Sequence, residues 1–321
     1  MAFGKRNPGD RYAKRSTRRV FSRDPKKRNR IILATACALA VVILALVWGN
    51  VLKAQSDALR AAEEAGEWLL NEETAIPIPV PVPAVSAGYA APSGKMANVE
   101  GLSLQAVTLD LGACSSSLPY GVDLPAGSGM AVSDGAPDLS SEVRRFKGAG
   151  LRVIGVFTVT SLSATDVTER TLRQGQEMTL LSLFCKAGVD EILLLGLPVG
   201  NDTLDAAATE YLLKVEALFA SIPATVPALG AALYPAAFAG EVSEDGTILY
   251  AGSLTPGRML SACDYLVLDL RGLGTQVSDV LQGMQYAYVR YSLRLLTAQT
   301  QPELTDTAVN HGFLRVLEFG K

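Results

Sequence analysis

The sequence holds one histidine, His311, and four cysteines, none in a C-x-x-C pair. A single histidine cannot supply a two- or three-histidine metal centre, and unpaired cysteines give no zinc or redox spacing. No G-x-S-x-G elbow accompanies His311, and there is no Walker A sequence. Gly148-Ala149-Gly150 imitates a dinucleotide fingerprint, but it lies between a helix and a strand, the reverse of the required order. Serine–histidine, nucleotide and metal chemistry are therefore unsupported, and no metal or cofactor is expected. Charged residues make up only 19% of the chain against 49% hydrophobic, which excludes a wholly disordered protein.

One stretch has no charge at all. Residues 31–52, IILATACALAVVILALVWGNVL, run uncharged from Arg30 to Lys53. As a helix rising ~1.5 Å per residue, such a run spans about 33 Å, enough for a hydrocarbon core of about 30 Å. It exceeds the ~7–15 residues of a signal-peptide core, so it reads as an uncleaved transmembrane anchor. Residues 1–30 carry twelve Lys/Arg against Asp10 and Asp24, so the formal charge of −3 divides into +10 there and −13 on the remainder. The positive-inside rule places this basic tail in the cytoplasm and the rest outside. The strongly acidic remainder argues against a nucleic-acid partner.

Beyond the anchor, residues 53–75 are rich in Ala, Leu and Glu and read as a helical stalk. Residues 76–97 open with Pro77, Pro79, Pro81 and Pro83 alternating with Ile or Val, the pattern of an extended polyproline-like linker. Residues 98–321 form the extracytoplasmic domain. Apolar runs at 104–111, 151–159, 189–196, 227–235, 264–270 and 313–319 read as buried parallel strands, separated by helical stretches at 138–150, 169–187, 205–221, 255–262 and 277–298. Strand–helix alternation specifies an α/β fold, either an open doubly wound sheet or a TIM-barrel-like (β/α) barrel. Six strands leave the barrel two short, hence incomplete, unless the turn-rich stretch 115–137 conceals a hairpin. Cys114, Cys185 and Cys263 would either stay as buried thiols or supply one disulfide.

Sites in parallel α/β folds lie at the carboxyl ends of strands. Asp110 and Asp269 end two of the strands, Arg271 follows Asp269, and Tyr234 ends another. Two carboxylates about 5–9.5 Å apart could act as acid and nucleophile or base on a glycosidic bond, with Tyr234 stacking on a sugar ring and Arg271 binding beside it. The plainer alternative is that the aspartates cap turns or pair with Arg271. Asp190 and Glu191 begin a strand and belong to the opposite, stability face.

The stretch KAGVDEILLLGLP (186–198) resembles the "G-[FY]-D-E-I" strand of glycoside-hydrolase-like (β/α) barrels that are membrane-anchored in Gram-positive bacteria. LQAVTLDLG (104–112) resembles their first strand, FKGAGLRVIGVFTV (146–159) their second unit, and ACDYLVLDL (262–270) a later strand. The resemblance spans residues 100–272 as pattern and order. It implies a barrel acting on polysaccharide, or descended from enzymes that do. The chain departs from the pattern where Leu195 and Gly196 replace an acid at the strand end and where Gly112-Ala113 follow Asp110, which implies a degenerate member. The expectation is an anchored barrel that binds cell-envelope glycan or an envelope protein without strong activity. The alternative is an active glycoside hydrolase using Asp110 and Asp269.

Overall fold

The computed structural model describes residues 84–320, apart from 93, 201, 223–225, 239, 243–247 and 251–252. The basic tail, apolar run and stalk lie outside the described residues. Among those described, no helix is long and apolar enough to cross a membrane.

The described residues hold ten strands: β1 Ala87–Tyr89, β2 Ala106–Gly112, β3 Arg152–Thr158, β4 Glu191–Leu195, β5 Ala228–Leu233, β6 Gly240–Val242, β7 Ile248–Tyr250, β8 Tyr265–Asp269, β9 Arg294–Ala298 and β10 Val316–Phe319. Eight of them close into a barrel in the order β1, β10, β9, β8, β5, β4, β3, β2, with every pair parallel. The remaining two, β6 and β7, form an antiparallel hairpin inserted between β5 and β8. The domain is a TIM barrel, closed rather than incomplete.

The two strands that complete it were hidden for different reasons. The linker assignment of 76–97 is corrected at its end: β1 lies inside it and pairs with both β2 and β10. At three residues, with Gly88 in the middle, β1 is too short to show alternation. LQAVTLDLG therefore contains the second barrel strand, not the first. The expected helix 277–298 stops at Arg290; Ser292 turns with φ 50°, and Arg294–Ala298 becomes β9. The stretch 115–137 holds no hairpin, only isolated bridges such as Leu118 with Val132.

The helices are α1 Leu139–Gly148, α2 Val167–Ala187, α3 Asp202–Ser221, α4 Pro256–Met259, α5 Val277–Arg290 and α6 Pro302–Asn310. Asp138 caps α1 by accepting from Ser141 N at 2.8 Å, and Asp166 caps α2 by accepting from Glu169 N at 2.8 Å. Gly188, at φ 84°, ends α2 in the left-handed conformation. Buried Leu139, Val143 and Phe146 place one face of α1 on the barrel.

Strand side chains alternate between two apolar regions. Val107, Leu109, Phe157, Ile192 and Leu268 point outward to the helices, while Ile154, Val156, Leu193, Val267, Leu296 and Leu317 fill the interior. Gly230 is required on β5, since a Cβ there would lie 2.3 Å from the Tyr265 ring.

The lowest interior layer is charged. Arg152 reaches Glu191 at 2.5 Å, Arg294 pairs with the other carboxylate oxygen of Glu191, and the Arg294 guanidinium lies 3.8 Å from the Tyr265 ring centroid. Glu191 and Arg294 are buried, at 0% and 4% exposed. The charges sit at the amino ends of the strands, away from the mouth.

Candidate functional site

The carboxyl ends of the strands form the mouth. Thr108 faces inward and is buried, and Asp110 is the next inward position along β2. A register shift between Asp110 and Gly112 bulges the strand, and Gly112 N donates to Asp110 Oδ1 at 2.9 Å. Bulges of this kind re-aim a side chain at a barrel rim.

Asp269 ends β8 and is 4% exposed. Its Oδ1 accepts from Arg271 N at 3.0 Å and from Arg271 Nε at 2.9 Å, and its Oδ2 accepts from Arg271 Nη2 at 2.7 Å. Both carboxylate oxygens are thus engaged by one planar guanidinium, the strong bidentate arrangement. Arg271 leans across β9 to lie 5.2 Å from the Phe319 ring centroid on β10. Phe319 meets Tyr89 of β1 edge-on, with centroids 6.3 Å apart and planes at 78°. Burial, and then the negative charge of Asp110, push the Tyr89 hydroxyl above its usual pKa.

Asp110, Tyr89, Phe319, Arg271 and Asp269 therefore form a continuous row around half of the mouth. The aspartates stand on β2 and β8, four places apart in a ring of eight, so they face each other from opposite sides. With strands ~4.8 Å apart and tilted ~36°, opposite backbones are about 15 Å apart, and two inward aspartates leave a gap on the order of 10 Å. That exceeds the ~5–5.5 Å of a nucleophile–acid pair and lies at the upper edge of the ~6.5–9.5 Å range for a water-activating pair.

Among the described residues, the other half of the rim has no carboxylate of its own at the strand ends. Thr158 ends β3, Leu195 ends β4, and Tyr234 follows β5 with 60% of its surface exposed. Behind β3, Glu177 of α2 is fully buried. It accepts from Thr160 N at 2.7 Å, Ser161 N at 2.9 Å and Ser161 Oγ at 2.7 Å. It holds the rim loop in place and is itself closed off from the mouth.

Of the residues singled out in the sequence, Asp110, Asp269 and Arg271 belong to the row, and Tyr234 stands apart on the open side. Tyr89 and Phe319 were missed. Tyr89 sits in what reads as linker, and Phe319 carries no signal beyond alternation. His311 caps α6 and shares a 3.0 Å hydrogen bond with Ser278. Cys114, Cys185 and Cys263 are buried free thiols. Among the described residues no His, Cys, Asp and Glu cluster is arranged to hold a metal ion.

No family model matches the chain, and no curated protein matches it. Solved structures of similar architecture include the chitinase ChiC from Aspergillus fumigatus, at 11% identity, 74% coverage of this chain, 91% of that chain and TM-score 0.44. A family GH18 chitinase from Chromobacterium violaceum matches at 14% identity, covering 75% and 79%, with TM-score 0.41. A sugar phosphate isomerase/epimerase from Parabacteroides distasonis matches at 11% identity, covering 70% and 82%, with TM-score 0.38. Glycosidases and isomerases thus appear side by side, and barrels of this kind host many unrelated reactions. The TIM barrel itself is read from the eight parallel strands and their closed order.

Proposed function

We propose that the chain is a membrane-anchored, extracytoplasmic barrel that binds cell-envelope glycan at its mouth and does not hydrolyse it. Residues 31–52 anchor it, and residues 53 to about 83 tether the barrel to that anchor. The observation that carries the non-catalytic reading is the occupancy of Asp269. A carboxylate clamped through both oxygens by Arg271 is poorly placed to protonate a leaving group or attack an anomeric carbon. The exposed Tyr234 ring supplies a face for a sugar ring, and Thr158 stands beside the same open half of the rim.

The test is cosedimentation of the full-length chain with purified cell-wall glycan. Tyr234→Ala is expected to weaken retention roughly 3–10-fold, the range for loss of one aromatic contact. Retention unchanged by Tyr234→Ala, or no retention at all, would overturn glycan recognition at this rim and leave an envelope protein as the partner class. Hydrolysis by Asp110 and Asp269 is the second reading. It is favoured by the position of both carboxylates at strand ends facing one mouth.

A further inference from the structure

The floor of the barrel carries a surface patch that the mouth does not use. Val289, near the end of α5, and Leu314, in the loop from α6 to β10, are 50% and 52% exposed. Leu314 and its neighbour Arg315 meet Tyr288 of α5. The Leu314 backbone N–H donates to the Tyr288 hydroxyl at 3.2 Å, and the Arg315 guanidinium lies 4.6 Å from the Tyr288 ring centroid. Arg290 follows Val289 and sits 5.5 Å from the Tyr291 ring centroid. Each exposed aliphatic side chain is thus followed in sequence by a half-buried arginine.

The chain enters the barrel at the same place. Ser86, immediately before β1, donates its Oγ to the Leu314 carbonyl at 3.3 Å. Elsewhere on the floor, Lys147 and Arg152 keep 40% and 47% of their side-chain surface exposed, while their carboxylate partners Asp190 and Glu191 are less exposed than they are. The mouth side is opposite in sign: Asp138, Asp166, Glu169, Asp279 and Glu303 occupy helix starts there. Helix polarity explains the acids, but not the exposed Val289 and Leu314.

Exposed aliphatic side chains beside arginines at one end of the barrel suit the boundary between anionic headgroups and acyl chains. We infer that the floor of the barrel docks on an anionic lipid surface through Val289, Arg290, Leu314 and Arg315. The inference rests on the anchored reading in one respect, because the tether delivers this face to the bilayer. Docked in this way, the mouth opens away from the membrane, toward the polymer outside it.

The experiment uses the full-length chain with Cys37→Ser and an environment-sensitive fluorophore on Leu314→Cys. Vesicles contain brominated lipids, either equal parts phosphatidylglycerol and phosphatidylcholine or phosphatidylcholine alone. Quenching at position 314 is expected with phosphatidylglycerol, and none at a mouth-side label on Val167→Cys. Replacing both arginines, Arg290→Gln with Arg315→Gln, is expected to lower the docked-to-free ratio by about 30-fold. An unquenched 314 label on anionic vesicles overturns docking, as does equal quenching on phosphatidylcholine that ignores the arginines. Protection of the label that grows with protein concentration without vesicles also overturns it, by showing that a second copy covers the patch. Alkaline carbonate extraction reads the anchor separately. A chain released by carbonate yet quenched at 314 retains docking and loses the anchor.

Discussion

Asp269 and Arg271 are joined by three hydrogen bonds, one from the Arg271 backbone and two from its guanidinium, of which the shortest is 2.7 Å. Asp269 is 4% exposed, so the arginine supplies what water cannot reach. The pair also fixes Arg271 over Phe319 and so sets the shape of half of the mouth.

Removing the guanidinium should leave a buried carboxylate short of partners. Arg271→Ala is expected to cost about 1–3 kcal/mol, read as a lowered denaturant midpoint at neutral pH. Arg271→Lys should recover only part of this, because an ammonium cannot reproduce the planar two-point contact. Full recovery by lysine would show that charge alone holds Asp269.

The charged layer at the barrel floor gives a sharper contrast. Glu191 lies between Arg152 and Arg294, and Arg294 is buried with it. Glu191→Ala should cost about 3–5 kcal/mol, because a buried arginine loses its counter-charge. Replacing the buried pair together, Glu191→Leu with Arg294→Met, should cost much less, since apolar side chains of similar volume often replace such pairs without loss. Denaturant unfolding of the single and double variants checks this. A double variant as unstable as the single one would mean that the ions themselves specify the barrel.

Glu318 on β10 should make stability depend on pH. It is 5% exposed, one of its carboxylate oxygens has no hydrogen-bond partner, and burial raises its pKa. The folded state therefore holds the proton more tightly than the unfolded one. This group's contribution is most favourable below the unfolded glutamate pKa of about 4.3 and declines as pH rises through the raised folded value. Glu318→Gln should match the wild type near the bottom of that window and exceed it in stability above. Thermal midpoints at acidic and neutral pH measure the difference. A variant less stable than wild type at neutral pH would contradict this account.

The buried thiols should be inert in the native state. Burial raises Cys185 to about 11 and Cys263 to about 12, and also raises Cys114. The thiolate is the reactive form, so at neutral pH little of it is present. In a Cys37→Ser chain, maleimide should label none of the three until denaturant is added. Mass spectrometry counts the adducts, and rapid native labelling would show that one of these sites opens.

Much of the barrel was legible because parallel strands buried on both faces appear as apolar runs, and six of the eight could be located that way. β1 was not, because three residues cannot show a period and the prolines before it read as a spacer. β9 was lost inside a helix pattern, since Leu293, Leu295 and Leu296 fit the end of a helical stripe as well as a strand. The mouth was partly legible: strand ends pointed to Asp110, Asp269, Tyr234 and Arg271. The row that links them depends on Tyr89 and Phe319. Their meeting is set by closure between the first and last strands, a contact across the whole domain that no local pattern records.

The central claim is that the mouth binds without cleaving. The measurement that tests it most directly is reducing-end release from purified cell-wall glycan, incubated with the full-length chain and with its Asp110→Asn variant. The account predicts that the wild type retains the glycan and releases no more reducing ends than the variant. Release by the wild type that Asp110→Asn abolishes would contradict it and establish the barrel as a hydrolase.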